Sequence, residues 1–326
     1  MSGLALKGTT WVTVRLHRRA LWTAGAVVVL AGAVIGALWI WDARVPDTYT
    51  QGGQTLPART DTGRDLLSSA VGGVADGMLL LPVLLGAFVA GPLVARAYES
   101  GTYKLSLTQS VGPAAWLRAK LLTVTVAALV TALALTVLYR LAQGHLTDTR
   151  HRDFDLGPYE VTGLVLFAQL LAAVAAGALL GLLVRRTLLA MAATGTVLGV
   201  VLLVLGSLRW SLLPVRTITG PNGDMLMPRD NGLLMDTGLL TSTGARFDRE
   251  ICWQEANAAP GVDADHDLWI TAHEQCLTRN DITAQYVDYH PQSHFWPAQF
   301  IESGILLALA ALALFAAFRV LRTRHP

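Results

Sequence analysis

The chain has 326 residues, of which 53% are apolar and only 15% are charged. Soluble domains carry about a quarter of charged residues, and here the charges are concentrated in a few segments between long uncharged runs. This distribution argues against a soluble globular protein and predicts a chain that crosses a bilayer. The formal net charge of +2 gives no further information, because the two sides of a membrane must be counted separately.

The N-terminal segment, residues 1–19, interleaves apolar and basic side chains, such as Leu6, Lys7, Val14 and Arg15. We expect an amphipathic helix on the inner membrane surface; the alternative is a basic flank that only sets the topology. The apolar run that follows is too long for a cleavable signal peptide and has no small-residue cleavage site after it. It is therefore predicted to remain as a membrane anchor.

Six apolar runs of about 20 residues each can cross a hydrocarbon core of about 30 Å as helices. The first five fall within residues 20–208 and the sixth occupies 298–318. The fold class predicted is an all-α integral membrane protein. The runs are Ala20–Trp41, Val74–Ala95, Leu121–Ala142, Val161–Val184, Leu188–Leu208 and Ala298–Phe318.

Basic residues are concentrated on one side of the predicted topology, where Glu99 is the only acidic residue. This asymmetry predicts cytoplasmic termini, including a tail at 319–326. The basic residues are Lys7, Arg15, Arg18, Arg19, Arg96, Lys104, Arg118, Lys120, Arg185, Arg186, Arg319, Arg322 and Arg324.

The largest segment on the opposite side, residues 209–297, is long enough for a small extracytoplasmic domain between helices 5 and 6. It contains the only two cysteines, Cys252 and Cys276. A disulfide is the natural interpretation in an oxidising compartment, and two unpaired buried thiols are the alternative.

The same segment contains a weak calcium-loop pattern, with Asp263, Asp265, Asp267 and Glu274 at ligand spacing. Leu268 stands where such a loop needs glycine, which favours a solvated acidic loop. Four histidines raise the question of zinc, but single histidines are more often structural. We therefore predict no metal site; the histidines are His266, His273, His290 and His294.

Catalytic motifs are missing from the sequence. Gly3 and Gly8 have the spacing of a phosphate-binding loop, but Thr9 stands where that motif needs lysine. His273 and Glu274 begin a zinc-protease pattern that lacks its second histidine. The chain is not expected to be an enzyme or to hold a cofactor, and the bilayer rather than a nucleic acid is its expected environment.

Ionisable residues inside the predicted helices are few. Asp76 and Arg140 lie near helix ends, whereas Glu302 lies one turn into the last helix with Gln299 on the same face. Glu302 is predicted to pair within the bundle or to line a pathway, or else to lie at the level of the outer headgroups. Without a buried series of acids and histidines, a proton-driven pump is not favoured.

The predicted loop at 96–120 has the most ordered pattern. Glu99-Ser100-Gly101-Thr102 can form a turn, because glycine allows positive φ and Thr102 can cap a following helix. Polar and aromatic residues follow at Lys104, Gln109 and Trp116. A short helix across the membrane face is expected here, where it can insert into a partner protein.

This loop resembles the ExGT region and the TQSV…WLxxKL run of bacterial type-2 ABC transporter permeases, especially a small-exporter group from high-G+C bacteria. The segment from Tyr289 to Gly304 is similar to that group's Tyr-x-Pro…Phe-Trp-x-x-Gln-x-x-Glu pattern at the start of the last helix. Gly112 and Pro113 replace the group's usual basic residue after TQSV.

The resemblance implies a permease of the bacterial plasma membrane that pairs with a second copy or a paralogous permease and with separate ATP-binding subunits, which hold ATP and Mg²⁺. It implies that closure of those subunits pushes on Glu99, Gly101 and Thr102, with weaker assignments for Lys104, Gln109 and Trp116. We expect an exporter of a hydrophobic or amphipathic substrate. The alternative is a membrane-anchored sensor that binds a ligand through residues 209–297.

Overall fold

The computed structural model describes residues 18–44, 48–51, 54–57, 62–103, 112–146, 157–223, 226–228, 232–262 and 266–324. The chain divides into two compact units. The helical unit comprises the residues up to Trp210 and those from Gln299 onward, and the sheet unit comprises Ser211–Ala298. Almost all of the predicted surface helix at 1–19, together with Lys104, Gln109, Asp263 and Asp265, lies outside the described residues.

The described part of the chain contains six helices that are long and apolar enough to cross a membrane, which confirms the predicted number. The elements in order are α1 (Arg18–Asp42), α2 (Thr62–Leu85), a π-helical turn (Gly86–Ala90), α3 (Gly91–Glu99), α4 (Pro113–His145), α5 (Pro158–Thr162), α6 (Val165–Val184), α7 (Thr187–Leu208), α8 (Arg249–Asn257), α9 (His266–Arg279) and α10 (Phe295–Arg324). A 3₁₀ turn, Arg209–Ser211, follows α7, and another, Gln292–His294, precedes α10.

The second membrane helix is longer than predicted. It runs without interruption from α2 through the π turn to α3, and its apolar stretch covers Asp65–Glu99, whereas the sequence indicated a start at Val74. Leu67 and Val71 are fully buried in the described helices. The extra turns form because their apolar face packs in the bundle, although their average hydropathy is low.

Helix α6 is the central helix of this unit, with 72% of its most apolar window buried. Its glycines let the backbone of α3 approach closely. A Cβ atom on Gly177 would lie 2.5 Å from the Cβ of Ala90 and 2.7 Å from the nitrogen of Gly91. Contacts between small residues are a common way for membrane helices to pack.

The π turn interrupts the regular hydrogen bonding of the second membrane helix. The N–H of Gly91 donates to the carbonyl oxygen of Gly86, five residues earlier, and Pro82 lies one turn before. A Cβ on Gly86 would come within 2.2 Å of Leu198 on α7. Single π turns are frequent at functional sites and at points where helices bend, and this one separates α2 from α3.

The described residues are mostly helical, as expected, but the chain is not all-α, because they also form two antiparallel sheets. In the helical unit, β1 (Thr48–Gln51) and β2 (Gln54–Pro57) form a hairpin. In the sheet unit, the strands are β3 (Arg216–Pro221), β4 (Leu233–Thr241), β5 (Arg246–Phe247) and β6 (Ile282–His290), in the order β3-β6-β4-β5. Pairing aligns Ile218 with Val287 and Leu239 with Gln285.

The central strand β6 explains why the sheet forms. Its sequence, Ile-Thr-Ala-Gln-Tyr-Val-Asp-Tyr-His, is rich in β-branched and aromatic residues, which favour strands. Tyr286 and Val287 are buried in this strand. Length and charge indicated a domain at this position, but only the local side-chain pattern carries the strand signal.

Helices α8 and α9 of the sheet unit are joined by a disulfide between Cys252 and Cys276. Both cysteines are fully buried. Next to them, the ring of Trp253 on α8 packs edge-on against Trp269 on α9, with centroids 5.7 Å apart. The pair of helices is therefore held by a buried covalent bond and by an aromatic contact beside it.

Replacing Gly177 with valine is expected to separate α3 from α6, because the new side chain has no room beside Ala90 and Gly91. Overpacking of this kind costs about 1–3 kcal/mol, so the melting temperature of the full chain in detergent should fall. Gly199→Val is the matched control, since nothing lies within 4 Å of a Cβ at that position. Equal melting temperatures for the two variants would contradict the close packing.

Replacing both cysteines with serine is expected to destabilise the sheet unit by about 3 kcal/mol, because the disulfide closes a loop with a sequence separation of 24. Limited proteolysis of the full chain should then cut within residues 249–279 several times faster. Cutting at the wild-type rate would show that the α8–α9 pair does not depend on the covalent bond.

Candidate functional site

The first candidate site lies where α3 ends and α4 and α7 begin. This end of the helical unit also carries the start of α1 and the end of α10, and we call it the termini end. At the end of α3, Ser100 donates from Oγ to the carbonyl oxygen of Arg96 at 2.8 Å. Gly101 has φ of +70°, a conformation that favours glycine, so the predicted turn is present. The hydroxyl of Thr102 lies 3.0 Å from that of Ser100.

Glu99 joins two helices at this site. Its Oε2 accepts a hydrogen bond of 2.9 Å from the backbone N–H of Thr187 and a second one from the hydroxyl of Thr187. Thr187 is the first residue of α7, where backbone N–H groups lack partners within the helix and the helix dipole favours a negative charge. Glu99 therefore caps α7 from the end of α3.

The α6–α7 connection beside this contact is short. It consists of Arg185, which has φ of +58°, and Arg186. A groove of about 470 Å³ lies next to Glu99 and Thr187, and Arg96, Phe88 and Met191 also line it. The site thus presents a groove with polar and apolar walls at the point where α3 and α7 meet.

An aromatic cluster fixes the start of α4 to the end of α3. Tyr98 stacks on Tyr103 with centroids 4.5 Å apart and packs edge-on against Trp116 at 6.5 Å. The Nζ of Lys120 lies 4.4 Å from the ring centroid of Trp116 and donates a 3.1 Å hydrogen bond to the carbonyl oxygen of Leu93. Of the residues predicted for coupling, Glu99, Gly101, Thr102 and Trp116 lie at this site.

The second candidate site lies at the other end of the helical unit and is a buried ion cluster of Glu160, Arg209 and Glu302. The guanidinium of Arg209 donates from Nε to Glu302 Oε2 at 2.8 Å and from Nη2 to Glu302 Oε1 at 3.0 Å. The same Nη2 lies 2.6 Å from Glu160 Oε1. The three side chains are at most 4% exposed, so the cluster holds its charges away from solvent.

Aromatic rings and a second polar residue enclose the ion cluster. The guanidinium of Arg209 lies 4.0 Å from the ring centroid of Tyr159, which packs edge-on against Trp210. Gln299 Oε1 accepts from the backbone N–H of Leu164 and Val165, at 2.9 and 3.0 Å. Gln299 therefore caps the start of α6.

Gly163 leaves the space for Gln299, since a Cβ there would lie 2.1 Å from the Gln299 amide. The amide nitrogen of Gln299 donates to the carbonyl oxygen of Tyr159 at 2.7 Å, which ties α10 to α5.

The sequence indicated Gln299 and Glu302, but it missed Arg209 and Glu160. The available signal was an arginine directly after the fifth apolar run, which the span boundaries assigned to the following loop.

The sheet unit brings together a smaller set of polar residues. Arg246 on β5 forms a 2.8 Å ion pair with Asp288, and Tyr286 donates a 2.8 Å hydrogen bond to Asp236. Burial, followed by this hydrogen bond, raises the pKa of Tyr286. These contacts connect β4, β5 and β6 and stabilise the sheet.

The calcium-loop pattern does not form a loop over its described part. Asp267 and Glu274 both lie on α9, a regular helix that begins at His266. His266 and His273 both stack on the ring of Trp269, with centroids 5.8 and 5.0 Å away. Among the described residues, no three His, Cys, Asp or Glu side chains are arranged to hold a metal ion.

Residues 23–209 match the family model described as ABC-2 membrane transporter related. The match covers more than half of the chain. The chain belongs to this family. No curated protein and no solved structure matches it significantly.

Membership defines the class of the protein. Members are transmembrane transport subunits that are not themselves catalytic and generally pair with an ATP-binding subunit. The matched region includes Glu99, Trp116, Glu160 and Arg209. Gln299, Glu302 and the sheet unit lie outside it.

Replacing Arg209 with methionine is expected to destabilise the helical unit by about 3–5 kcal/mol, because two buried carboxylates lose their shared counterion. The melting temperature of the full chain in detergent measures this loss. Adding Glu160→Gln and Glu302→Gln to Arg209→Met should restore part of it. Arg322→Met, at an exposed position on α10, is the control and should leave the melting temperature unchanged; an equal loss there would contradict the cluster's role.

Proposed function

We propose that the chain is the transmembrane permease subunit of an ATP-driven exporter for a hydrophobic or amphipathic substrate, coupled to a separate ATPase. The observation that carries this proposal is the contact of Glu99 with Thr187 in a member of the ABC-2 family. Through this contact, a partner that displaces the end of α3 also displaces α7.

The termini end is the cytoplasmic side in this proposal. The basic residues Arg96, Arg118, Arg185, Arg186 and Arg319 support it, because cytoplasmic segments are enriched in lysine and arginine. The sheet unit is then extracytoplasmic, in agreement with its disulfide, because such bonds persist in oxidising compartments. The membrane is the bacterial plasma membrane.

The coupling surface for the ATPase is the segment at 96–120. Over the described part of this segment, the turn at Gly101 and the contact of Trp116 with Tyr98 support this role, because they hold the end of α3 against the start of α4. The groove beside Glu99 and Thr187 adds a concave place for a partner side chain. ATP and Mg²⁺ are held by the ATPase, since the sequence has no phosphate-binding loop.

Helix α7 carries the displacement across the bilayer. It has 22 residues and a length of about 33 Å, and Arg209 directly follows it. A push on Thr187 therefore changes the position of the guanidinium that holds Glu160 and Glu302. The π turn at Gly86–Ala90 lets α3 move with the coupling surface while α2 stays in place.

The transport cycle is a shift between inward-open and outward-open populations. ATP binding to the partner favours one population through its contact with the segment at 96–120. The functional assembly contains two permease chains, either two copies of this chain or this chain with a paralogue. In this cycle, the salt bridges of the ion cluster break when the end of the helical unit opposite the termini end opens.

A second candidate function is that of a membrane-anchored sensor. The observation that favours it is the His266–Trp269–His273 stack of the sheet unit, beside which Trp253 is 47% exposed. An exposed aromatic ring such as that of Trp253 offers a surface for a planar or apolar ligand. A ligand that binds the full chain with the same affinity with and without the ATPase and ATP would favour this function over transport.

The coupling proposal is tested with the permease and its ATPase purified together and reconstituted in liposomes. Glu99→Ala should lower ATP-dependent efflux of a lipophilic fluorescent dye severalfold, because it removes both hydrogen bonds that join the end of α3 to the start of α7. Thr187→Ala should have a similar effect, and the double variant should lose no more than either single variant. Glu274→Ala, at an exposed position on α9, is the control.

Two results would overturn the coupling proposal. One is a purified permease that is active without any ATP-binding subunit. The other is a Glu99→Ala variant that binds the ATPase and exports the dye at the wild-type rate.

A further inference from the structure

A second groove lies on the side of the helical unit, between α4, α6 and α10. It has a volume of about 630 Å³ and an almost entirely apolar lining. Leu122, Leu307 and Ala311 line it and are exposed, so the groove opens on the face of the bundle that meets hydrocarbon. Its floor is formed by small buried residues of two helices, among them Ala175 and Ala310.

The groove has the length of one lipid chain. It extends along α10 from Leu307 to Phe318, about 16 Å at 1.5 Å per residue. Half of a hydrocarbon core of about 30 Å is about 15 Å. The groove therefore spans a single leaflet, the one on the termini side.

The mouth of the groove at the termini end is positively charged. The guanidinium of Arg118 lies 5.8 Å from the ring centroid of Phe318, and both residues line the groove. Arg319 follows Phe318 on the same helix and is exposed. None of the described residues that line the groove is acidic, so the mouth is complementary to a phosphate.

We infer that this groove binds one acyl chain of an anionic phospholipid from the leaflet on the termini side, with its phosphate at Arg118. A lipid chain that lies in the groove gains dispersion contacts along its apolar walls. Basic residues at the same depth select an anionic headgroup. The site does not include Glu99 or Thr187, so the inference is independent of the proposed coupling.

Native mass spectrometry of the full chain tests this inference, with phosphatidylglycerol and phosphatidylcholine added in turn to protein in mild detergent. The wild type should retain one phosphatidylglycerol per chain in preference to phosphatidylcholine. Arg118→Gln should weaken phosphatidylglycerol retention about fivefold, the contribution of one basic residue near anionic lipid, and should leave phosphatidylcholine unchanged. Arg322→Gln is the control for general surface charge. The logarithm of its fold-change in phosphatidylglycerol retention should be less than half of that for Arg118→Gln.

A second pair of variants tests the groove itself. Ala311→Phe fills it and should remove retention of both lipids, whereas Leu312→Phe, at an exposed neighbouring position outside the lining, should not. Melting temperatures of all variants show whether each is folded. Wild-type retention by folded Arg118→Gln or folded Ala311→Phe would overturn the inference. So would an Ala311→Phe variant that changes the ratio of dimer to monomer without changing lipid retention, because a second copy would then occupy the groove.

Discussion

Arg209 provides the counterion on which one end of the helical unit depends. Its guanidinium binds carboxylates from α5 and α10, and Arg209 itself directly follows α7. A single side chain therefore joins three elements. Buried ions gain little net stability over apolar packing, but the loss of one partner is costly. The cluster therefore specifies which helices meet at this end, and Gln299 extends this specification by capping α6.

The two ends of the helical unit use the same physical device. At each end, a polar side chain from one helix satisfies the free N–H groups at the start of another: Glu99 for α7 and Gln299 for α6. Between these ends, packing relies on small residues such as Gly177 and Gly181 rather than on polar contacts. The helical unit therefore combines close apolar packing in its middle with polar contacts at its two ends.

The sequence predicts the six apolar helices well, because a bilayer imposes length and composition on each helix independently of its neighbours. The turn at Gly101 can also be predicted, because the tolerance of glycine for positive φ is a local property. The pairing of Cys252 with Cys276 can be predicted because the chain has only two cysteines. The contacts of Arg209 with Glu160 and Glu302 cannot be predicted in this way, because they join residues 49 and 93 positions apart. Helix periodicity identifies a buried face but does not say which helix covers it. The strands were missed for a different reason. Charge and hydropathy locate a loop between membrane helices, but they do not show the local side-chain pattern that marks a strand within it.

The two-residue connection of Arg185 and Arg186 makes α6 and α7 a helical hairpin. Glu160 precedes the first arm and Arg209 follows the second, so the free ends of the hairpin carry opposite charges that meet at 2.6 Å. Each of these ions alone would be costly to move through hydrocarbon. The free ends of the hairpin therefore bring a cation and an anion into the cluster together, and Glu302 of α10 completes it.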